Sequence, residues 1–307
     1  MYHLISIGNI TIDLFFKGDS LTYHDGRFQL CAGGKYVADF FQEGVGGGGA
    51  NVAIGAAKHG LMTGLMGIIG DTPFKPLILE KLRGVKVKPL LCRYDEKFMS
   101  ISTILLNHRG ERSVVHYDTH RQHLFRADLP VAELQRAVMV YLGNLPETPI
   151  SEKKQLLAVA KKHNAHIFLN FGVKDCRRPI EELLPLLEMA DVIILNGHEL
   201  ADLIKAPYGD IHFKERVINW YAPFLREKLV VVTDGKNGSF VYEKDEVLFQ
   251  KAIAPEKIID TTGAGDAYAA GFISAFFKSK GKVRSAMQSG AMYACRILSR
   301  LGANEAT

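Results

Sequence analysis

The chain has 307 residues, 47% of them hydrophobic and 23% charged, the balance of an ordinary globular protein with material for one large α/β core. Its 38 Lys and Arg against 33 Asp and Glu leave a formal charge of +5 without a dense basic run, which speaks against nucleic acid as a partner. No apolar run approaches the ~20 residues of a membrane span, the 11 His are scattered, and Cys31, Cys92, Cys176 and Cys295 form no C-x-x-C pair. The expectation is a cytoplasmic chain with reduced thiols, no membrane association and no Cys/His metal cage.

In chain order, Leu4 to Gly8 reads as a short apolar strand leading to Asp13. A carboxylate just past the C-terminal end of a strand is where open α/β sheets place ligand groups, and a turn Asp is the plainer alternative. Leu14 to Phe41, punctuated by Gly18, Gly26, Gly33 and Gly34, reads as short strands and turns that stand off the main sheet. Gly46 to Asn51, GGGGAN, then feeds a helix of small residues ending at Gly60. The glycines leave a ligand's approach unobstructed, and Asn51 offers both a donor and an acceptor. A flexible linker would not normally run straight into a compact apolar helix.

Gly64 to Gly70 predicts a buried strand and Phe74 to Leu82 a helix. Ser100–Leu106 and Arg112–Tyr117 predict a hairpin about Asn107-His108-Arg109-Gly110, which with the segment after Asp13 makes a second, smaller sheet. From Val131 the rhythm is regular: strand Val138–Leu142, helix Ser151–Lys162, strand His166–Asn170, helix Pro179–Met189, strand Asp191–Leu195. Repeated β-α units imply a parallel sheet covered on both faces. Asn196 and Glu199 follow the last of these strands. They can cap the next helix as a capping box, or orient the water shell of Mg²⁺. Leu229–Thr233 is a further buried strand, followed by the turn-rich Asp234–Gly238 and by Ser239–Tyr242, and Arg284–Arg300 closes the chain as a helix ending at Gly302. No repeat, low-complexity segment or interdomain linker interrupts this order.

The most informative stretch is DTTGAGDAYAAGF, Asp260 to Phe272. Gly263 and Gly265 let backbone N–H groups turn toward one point, and Tyr268, Ala269, Phe272, Ile273, Phe276 and Phe277 continue as an apolar helical stripe. A helix N-terminus so built attracts phosphate, or charge developing on it. Asp266 in its first turn is either a cap or the base that takes a proton from an attacking hydroxyl.

GGGGANVAIGAAKHG at Gly46 to Gly60, with Gly70 beyond it, and DTTGAGDAYAAGF together resemble the paired signatures of the PfkB, ribokinase-like, carbohydrate kinases. The likeness covers nearly the whole chain, since NGHE at Asn196–Glu199 and the loop Thr233–Gly238 resemble that family's N-x-x-E element and nucleotide loop. It implies one domain over residues 1–307, a Rossmann-like doubly wound, mostly parallel α/β sheet with a small β-sheet lid formed by segments near 14–42 and 98–118. By resemblance, Asp266 is the catalytic base, and Gly263, Ala264 and Gly265 form the anion hole around the transferred γ-phosphoryl. Asp13, Gly47 and Asn51 match contacts to substrate hydroxyls, with Asn144 at the place of a sugar-contacting acid. Asn196, Thr233, Gly235 and Gly238 match nucleotide-binding positions, and Asn196 and Glu199 those that organise Mg²⁺ through water. Asp260, Thr262, Arg300 and Gly302 lie where ribokinases bind a monovalent cation, K⁺.

The implied activity is transfer of the γ-phosphoryl of ATP to a primary hydroxyl of a small sugar, by a homodimer joined through the lid. A nucleoside kinase of the same family, with Phe15, Phe16, Phe40 and Phe41 walling a base, is the enzymatic alternative. A nucleotide-binding regulatory protein without catalysis is the alternative from another class, and an intact GAGD turn with Asp266 argues against it. Gly48 stands where ribokinases and 1-phosphofructokinases usually have Lys, and Asn144 replaces the ribokinase acid, both of which point away from ribose. GDTPFK at Gly70–Lys75 replaces the commoner GDDxFG, a change in a structural turn. Without the ribokinase-type Lys the sequence shows no obvious clamp for a phosphate on the substrate, and Lys35, Arg109 and Arg112 in the lid are the alternative source of one.

Overall fold

The computed structural model describes residues 1–25, 27–90, 98–107, 111–119, 124 and 130–304, with the backbone of 93–95. Gly26, Cys92, His108, Arg109 and Gly110, singled out above, lie outside the described residues. Along the chain, β1 (Tyr2–Ile7) leads to β2 (Thr11–Lys17), the short hairpin β3 (Tyr23–His24) and β4 (Arg27–Phe28), β5 (Phe40–Gly46) and α1 (Gly48–Lys58). Next come β6 (Thr63–Met66), β7 (Ile68–Gly70), α2 (Lys75–Gly84), β8 (Lys88–Pro89), β9 (Arg93–Asp95) and the hairpin β10 (Ser100–Leu106) and β11 (Arg112–Asp118). The alternating run follows: α3 (Val131–Leu134), β12 (Ala137–Leu142), α4 (Ile150–Lys162), β13 (His166–Leu169), α5 (Val173–Cys176), α6 (Ile180–Leu187), β14 (Val192–Asn196) and α7 (Gly197–Ile204). The chain closes with α8 (Val217–Tyr221), β15 (Leu229–Thr233), β16 (Ser239–Glu243), β17 (Glu246–Gln250), α9 (Ala264–Lys278) and α10 (Val283–Leu298).

The large sheet has nine strands in the order β17-β16-β15-β14-β13-β12-β1-β6-β8. It is parallel from β8 to β15, and β16 and β17 add antiparallel at one edge. Successive strand residues point to opposite faces, so a strand buried on both sides is apolar throughout. Ile5, Val140, Ile167, Ile193 and Val230 accordingly join Leu156 of α4 and Leu183 of α6 in one cluster. Their neighbours Leu4, Met139, Phe168, Val192 and Val231 join Phe272 of α9 and Met287 of α10 in another. Among the described residues no helix is long and apolar enough to cross a membrane.

The helices that carry the two glycine-rich motifs pack closely. A Cβ on Gly55 of α1 would lie 2.6 Å from the Cβ of Ala270 in α9, and one on Gly290 of α10 would lie 2.9 Å from the carbonyl of Tyr268. Such contacts admit only hydrogen at those positions. They bring the N-termini of α1 and α9 side by side, which joins GGGGAN to GAGD.

The lid is a four-stranded sheet, β11-β10-β2-β5, with β2 parallel to β10 and antiparallel to β5. Its first strand, β2, starts at Thr11, so Asp13 belongs to a lid strand and is not the turn residue after β1. The expected strand Gly64–Gly70 is broken at Gly67, where a Cβ would lie 2.7 Å from the carbonyl of Gly8. β7 instead leaves the large sheet to pair with β9. The edge strand β17 has no counterpart in the sequence reading.

Candidate active site

Gly263 enters α9 with φ 72°, and a Cβ there would lie 2.3 Å from the Cβ of Ala303. A left-handed residue hemmed in this way must be glycine, and it turns the free N–H groups of the first helical turn, including those of Gly265 and Asp266, outward. The carboxylate of Asp266 is held at this point, where Asn51 Nδ2 donates to its Oδ2 at 2.8 Å. Asn51 is oriented in turn by Asn304, whose Nδ2 donates to Asn51 Oδ1 at 3.0 Å, and Lys58 Nζ donates to the Asn304 carbonyl at 2.7 Å. Burial raises the pKa of Asp266 above the usual carboxylate range, and the bond from Asn51 offsets part of that rise. Oδ1 of Asp266 lies 3.4 Å from the place a Cβ on Gly48 would occupy. The bare backbone at Gly48, which departs from the ribokinase Lys, therefore leaves room beside that carboxylate.

Asp13 is 6% exposed, and a Cβ on Gly46 would lie 2.0 Å from its Oδ2, which accounts for that glycine. Burial pushes its pKa up to about 6, against a hydrogen bond from Ser102, with Asp260 and Asp266 adding repulsion. Ser102 Oγ also meets His116 Nδ1 at 3.1 Å, so the lid strands carry a polar network from Asp13 outward. Gly47, at φ 90°, passes so close to Asn9 that a Cβ would fall 2.5 Å from the Asn9 carbonyl. Asn9, His116, Asn144, Glu147 and Lys174 line a cavity of about 560 Å³ with Phe98 among its apolar walls. The buried Oδ1 of Asn144 has no hydrogen-bond partner, which leaves an acceptor for a ligand's hydroxyl. Asp13, Asn51 and Asp266 are not among the residues of this cavity wall; its Gly8 touches the start of α1, where a Cβ on Gly49 would lie 2.5 Å from the Gly8 carbonyl carbon.

A second cavity, about 320 Å³, is lined by Thr233, Gly235, Gly238, Ile253, Ala264 and Gly265. Gly235 and Gly238 have φ of 51° and 104°, and a Cβ on Gly238 would lie 2.3 Å from the Gln250 carbonyl. The predicted nucleotide turn is thus a tight backbone corner that shares this cavity with Ala264 and Gly265 at the start of α9. Asn196 sits opposite Thr233 in the strand register. Its side chain accepts from the Glu199 N–H at 2.9 Å while Glu199 Oε2 accepts from the Asn196 N–H at 2.8 Å, so the capping-box alternative is realised. Glu199 has a pKa raised to about 7 by burial, partly countered by the Asn196 N–H, with Asp266 and Asp202 repelling it further. Among the described residues no group of three or more His, Cys, Asp or Glu is placed to hold a metal. A Glu199 carboxylate whose pKa Asp266 helps to raise nevertheless suits Mg²⁺, which keeps several waters and takes few protein ligands.

Asp260 is 1% exposed and gathers four donors. Its Oδ1 accepts from Thr262 N at 2.8 Å, Thr262 Oγ1 at 2.7 Å and Arg112 Nη1 at 2.8 Å, while Oδ2 accepts from Gly302 N at 3.1 Å. Arg112 also donates to Thr262 Oγ1. Thr262 and Gly302, predicted around a monovalent cation, do converge on Asp260, and Arg300 joins the same turn through its N–H to the Ile297 carbonyl at 3.0 Å. Of the lid cations named above as an alternative source of a phosphate clamp, Arg112 is bonded to Asp260 and Thr262 and Lys35 is exposed. Asn304 was missed altogether, as were His116 and Lys174, because no local pattern marks them.

A model of the family described as "pfkB family carbohydrate kinase" matches residues 1–307. The 5-dehydro-2-deoxygluconokinase of Listeria monocytogenes is 24% identical over 317 residues, covering 99% of this chain and 92% of that protein. The probable chloroplastic fructokinase-6 of Arabidopsis thaliana is 28% identical over 253 residues, 77% of this chain and 63% of that one. Among solved structures, the Arabidopsis thaliana ribokinase complexed with ribose and ATP superposes with a TM-score of 0.81 at 23% identity, covering 100% of this chain and 95% of that one. The adenosine kinase from Sinorhizobium meliloti gives 0.79 at 21% identity, with 100% and 96% covered. The two glycine-rich motifs are thus joined in one ribokinase-like fold around Asp266, and the chain belongs to the pfkB family of carbohydrate kinases, phosphotransferases with an alcohol group as acceptor.

Proposed function

We propose that this chain phosphorylates a primary hydroxyl of a small, unphosphorylated sugar or sugar-like polyol. The observation that carries the reading is the position of Asp266, held by Asn51 at 2.8 Å in the first turn of α9, whose Ala264 and Gly265 line the second cavity. ATP with Mg²⁺ supplies the transferable phosphoryl group. Asp266 accepts the proton as the hydroxyl oxygen bonds to the γ-phosphorus and the bond to the ADP oxygen breaks. The first N–H groups of α9, from Ala264 to Asp266, face the charge on the moving group. Asp13 and Asn144 bind hydroxyls and fix the acceptor, and Thr233, Gly235 and Gly238 seat the nucleotide. Asn196 and Glu199 place the Mg²⁺ water shell through the remaining carboxylate oxygen. The lid excludes water, which would otherwise compete as acceptor.

The relatives named for fructose and 5-dehydro-2-deoxygluconate set the substrate panel, with ribose and adenosine beside them. Adenosine represents the second reading, which the ring of Phe98 in the cavity wall favours. ADP release with one of the sugars, and its loss by about 10²–10⁴-fold in Asp266→Asn with nucleotide binding kept, is the expected outcome. Sugar-dependent turnover by that variant at the wild-type rate would overturn the reading.

The same reading includes a homodimer through the lid. Its support is the outward face of β5 and β11, where Phe41, Val115 and Tyr117 are 53%, 65% and 57% exposed. Sedimentation of Val115→Glu as a monomer, against a dimeric wild type, tests it. Free Cys31, Cys176 and Cys295 support a reducing, cytoplasmic setting.

A further inference from the structure

At two of the four predicted cation-site positions, Asp260 and Thr262, the side-chain oxygens are turned to hydrogen-bond donors and not to a cation. A monovalent cation needs oxygen lone pairs turned toward it. Here Asp260 Oδ1 is turned to Arg112 Nη1, Thr262 N and Thr262 Oγ1, at 2.8, 2.8 and 2.7 Å. Its other oxygen faces the Gly302 N–H at 3.1 Å. The hydroxyl oxygen of Thr262 is also engaged, accepting from Arg112 while donating to Asp260. A carboxylate 1% exposed requires a compensating charge, and the guanidinium supplies it at every working pH because it does not deprotonate. We propose that Arg112 takes the place of the monovalent cation, so that phosphoryl transfer by this chain does not depend on K⁺.

The charge reaches the loop from an unusual direction. Arg112 opens β11 of the lid, whereas Asp260 and Thr262 lead directly into Gly263 and the anion hole. The element that covers the acceptor therefore also holds the loop that stabilises the transferred group. A free ion would hold that loop whether the lid were in place or not.

The activity arm of the test rests on the kinase reading, so a binding arm accompanies it. The full chain is assayed in KCl and in choline chloride at equal ionic strength, by ADP release, by calorimetric affinity for MgADP and by melting temperature. Wild type is expected to differ less than twofold in rate and affinity between the salts and to melt at the same temperature. Arg112→Met is expected to lose tenfold or more in choline chloride and to recover at least half of that in KCl, with a higher melting temperature in KCl, whereas Arg112→Lys stays indifferent to the salt. If no substrate is turned over, the kinase reading fails alone and MgADP affinity still decides the role of Arg112. Activation or tighter nucleotide binding of wild type by K⁺ of more than fivefold would overturn the proposal, as would identical behaviour of Arg112→Met in both salts. The wild-type comparison decides alone should Arg112→Met not fold.

Discussion

Asp13 is a charged group placed where the fold disfavours its charge, and the consequence can be measured without knowing the substrate. Its pKa of about 6 stands against an ordinary value of 3.8, so the folded chain holds the proton more tightly than the unfolded chain. At about 1.36 kcal/mol for each pH unit between the two values, the ionised carboxylate lowers stability by roughly 3 kcal/mol. The sign follows from linkage: below about pH 4 the group is neutral in both states and the full stability is present. As pH rises through about 6, that stability is lost. Asp13→Asn mimics the neutral form and is expected to gain up to roughly 3 kcal/mol over wild type at pH 8, the difference vanishing near pH 4. Denaturant unfolding of both proteins at pH values from 4 to 8 provides the two curves. The variant should also lose sugar affinity, since an amide cannot match a carboxylate as acceptor from a hydroxyl. Parallel stability curves would refute the reasoning, because they would mean that Asp13 titrates alike in the folded and unfolded chain.

Two further outcomes follow from the same electrostatics. Asn51→Leu removes the donor that opposes the burial of Asp266. A hydrogen bond to a charged group is worth about 1.5–3 kcal/mol, so the acid limb of the pH–rate profile is expected to move up by about 1–2 pH units; an unmoved limb would separate Asn51 from the base. Glu199, with a pKa of about 7, must release its proton to serve a metal-bound nucleotide. MgADP affinity by calorimetry is therefore expected to rise from pH 6 to pH 8 in wild type and to lose that dependence in Glu199→Gln, with equal slopes counting against the role.

Much of the architecture could be read from the chain because the strands are buried on both faces. Val192 to Leu195 is apolar without a break, and such runs alternating with amphipathic helices admit few folds. The two motifs were legible for a related reason, since positive φ at Gly47 and Gly263 demands the residue that made the pattern visible. Asp13 was misplaced because a strand that starts three residues after β1, at Thr11, looks like the tail of a turn. The break at Gly67 and the commitment of Arg112 to Asp260 were hidden by distance along the chain. The latter pair is 148 residues apart, and hydrogen-bond partners at such separations leave no periodic signal. Asn196 and Glu199 were ambiguous between cap and metal organiser, and the capping box occupies one carboxylate oxygen while leaving the second for the other role.

Asn304 bonds to Asn51 across 253 residues, and its carbonyl takes Lys58 across 246. The strands of the large sheet and both glycine-rich motifs all precede it. A ribosome-bound chain can therefore complete its sheet and seat α9 before the residue that orients the Asn51 amide has emerged. Until then the Asn51 Oδ1 lacks the donor that Asn304 supplies, and only the bond to Asp266 holds that amide on its other side. A fusion or tag joined close behind Asn304 would bear on the base more directly than one placed before Tyr2.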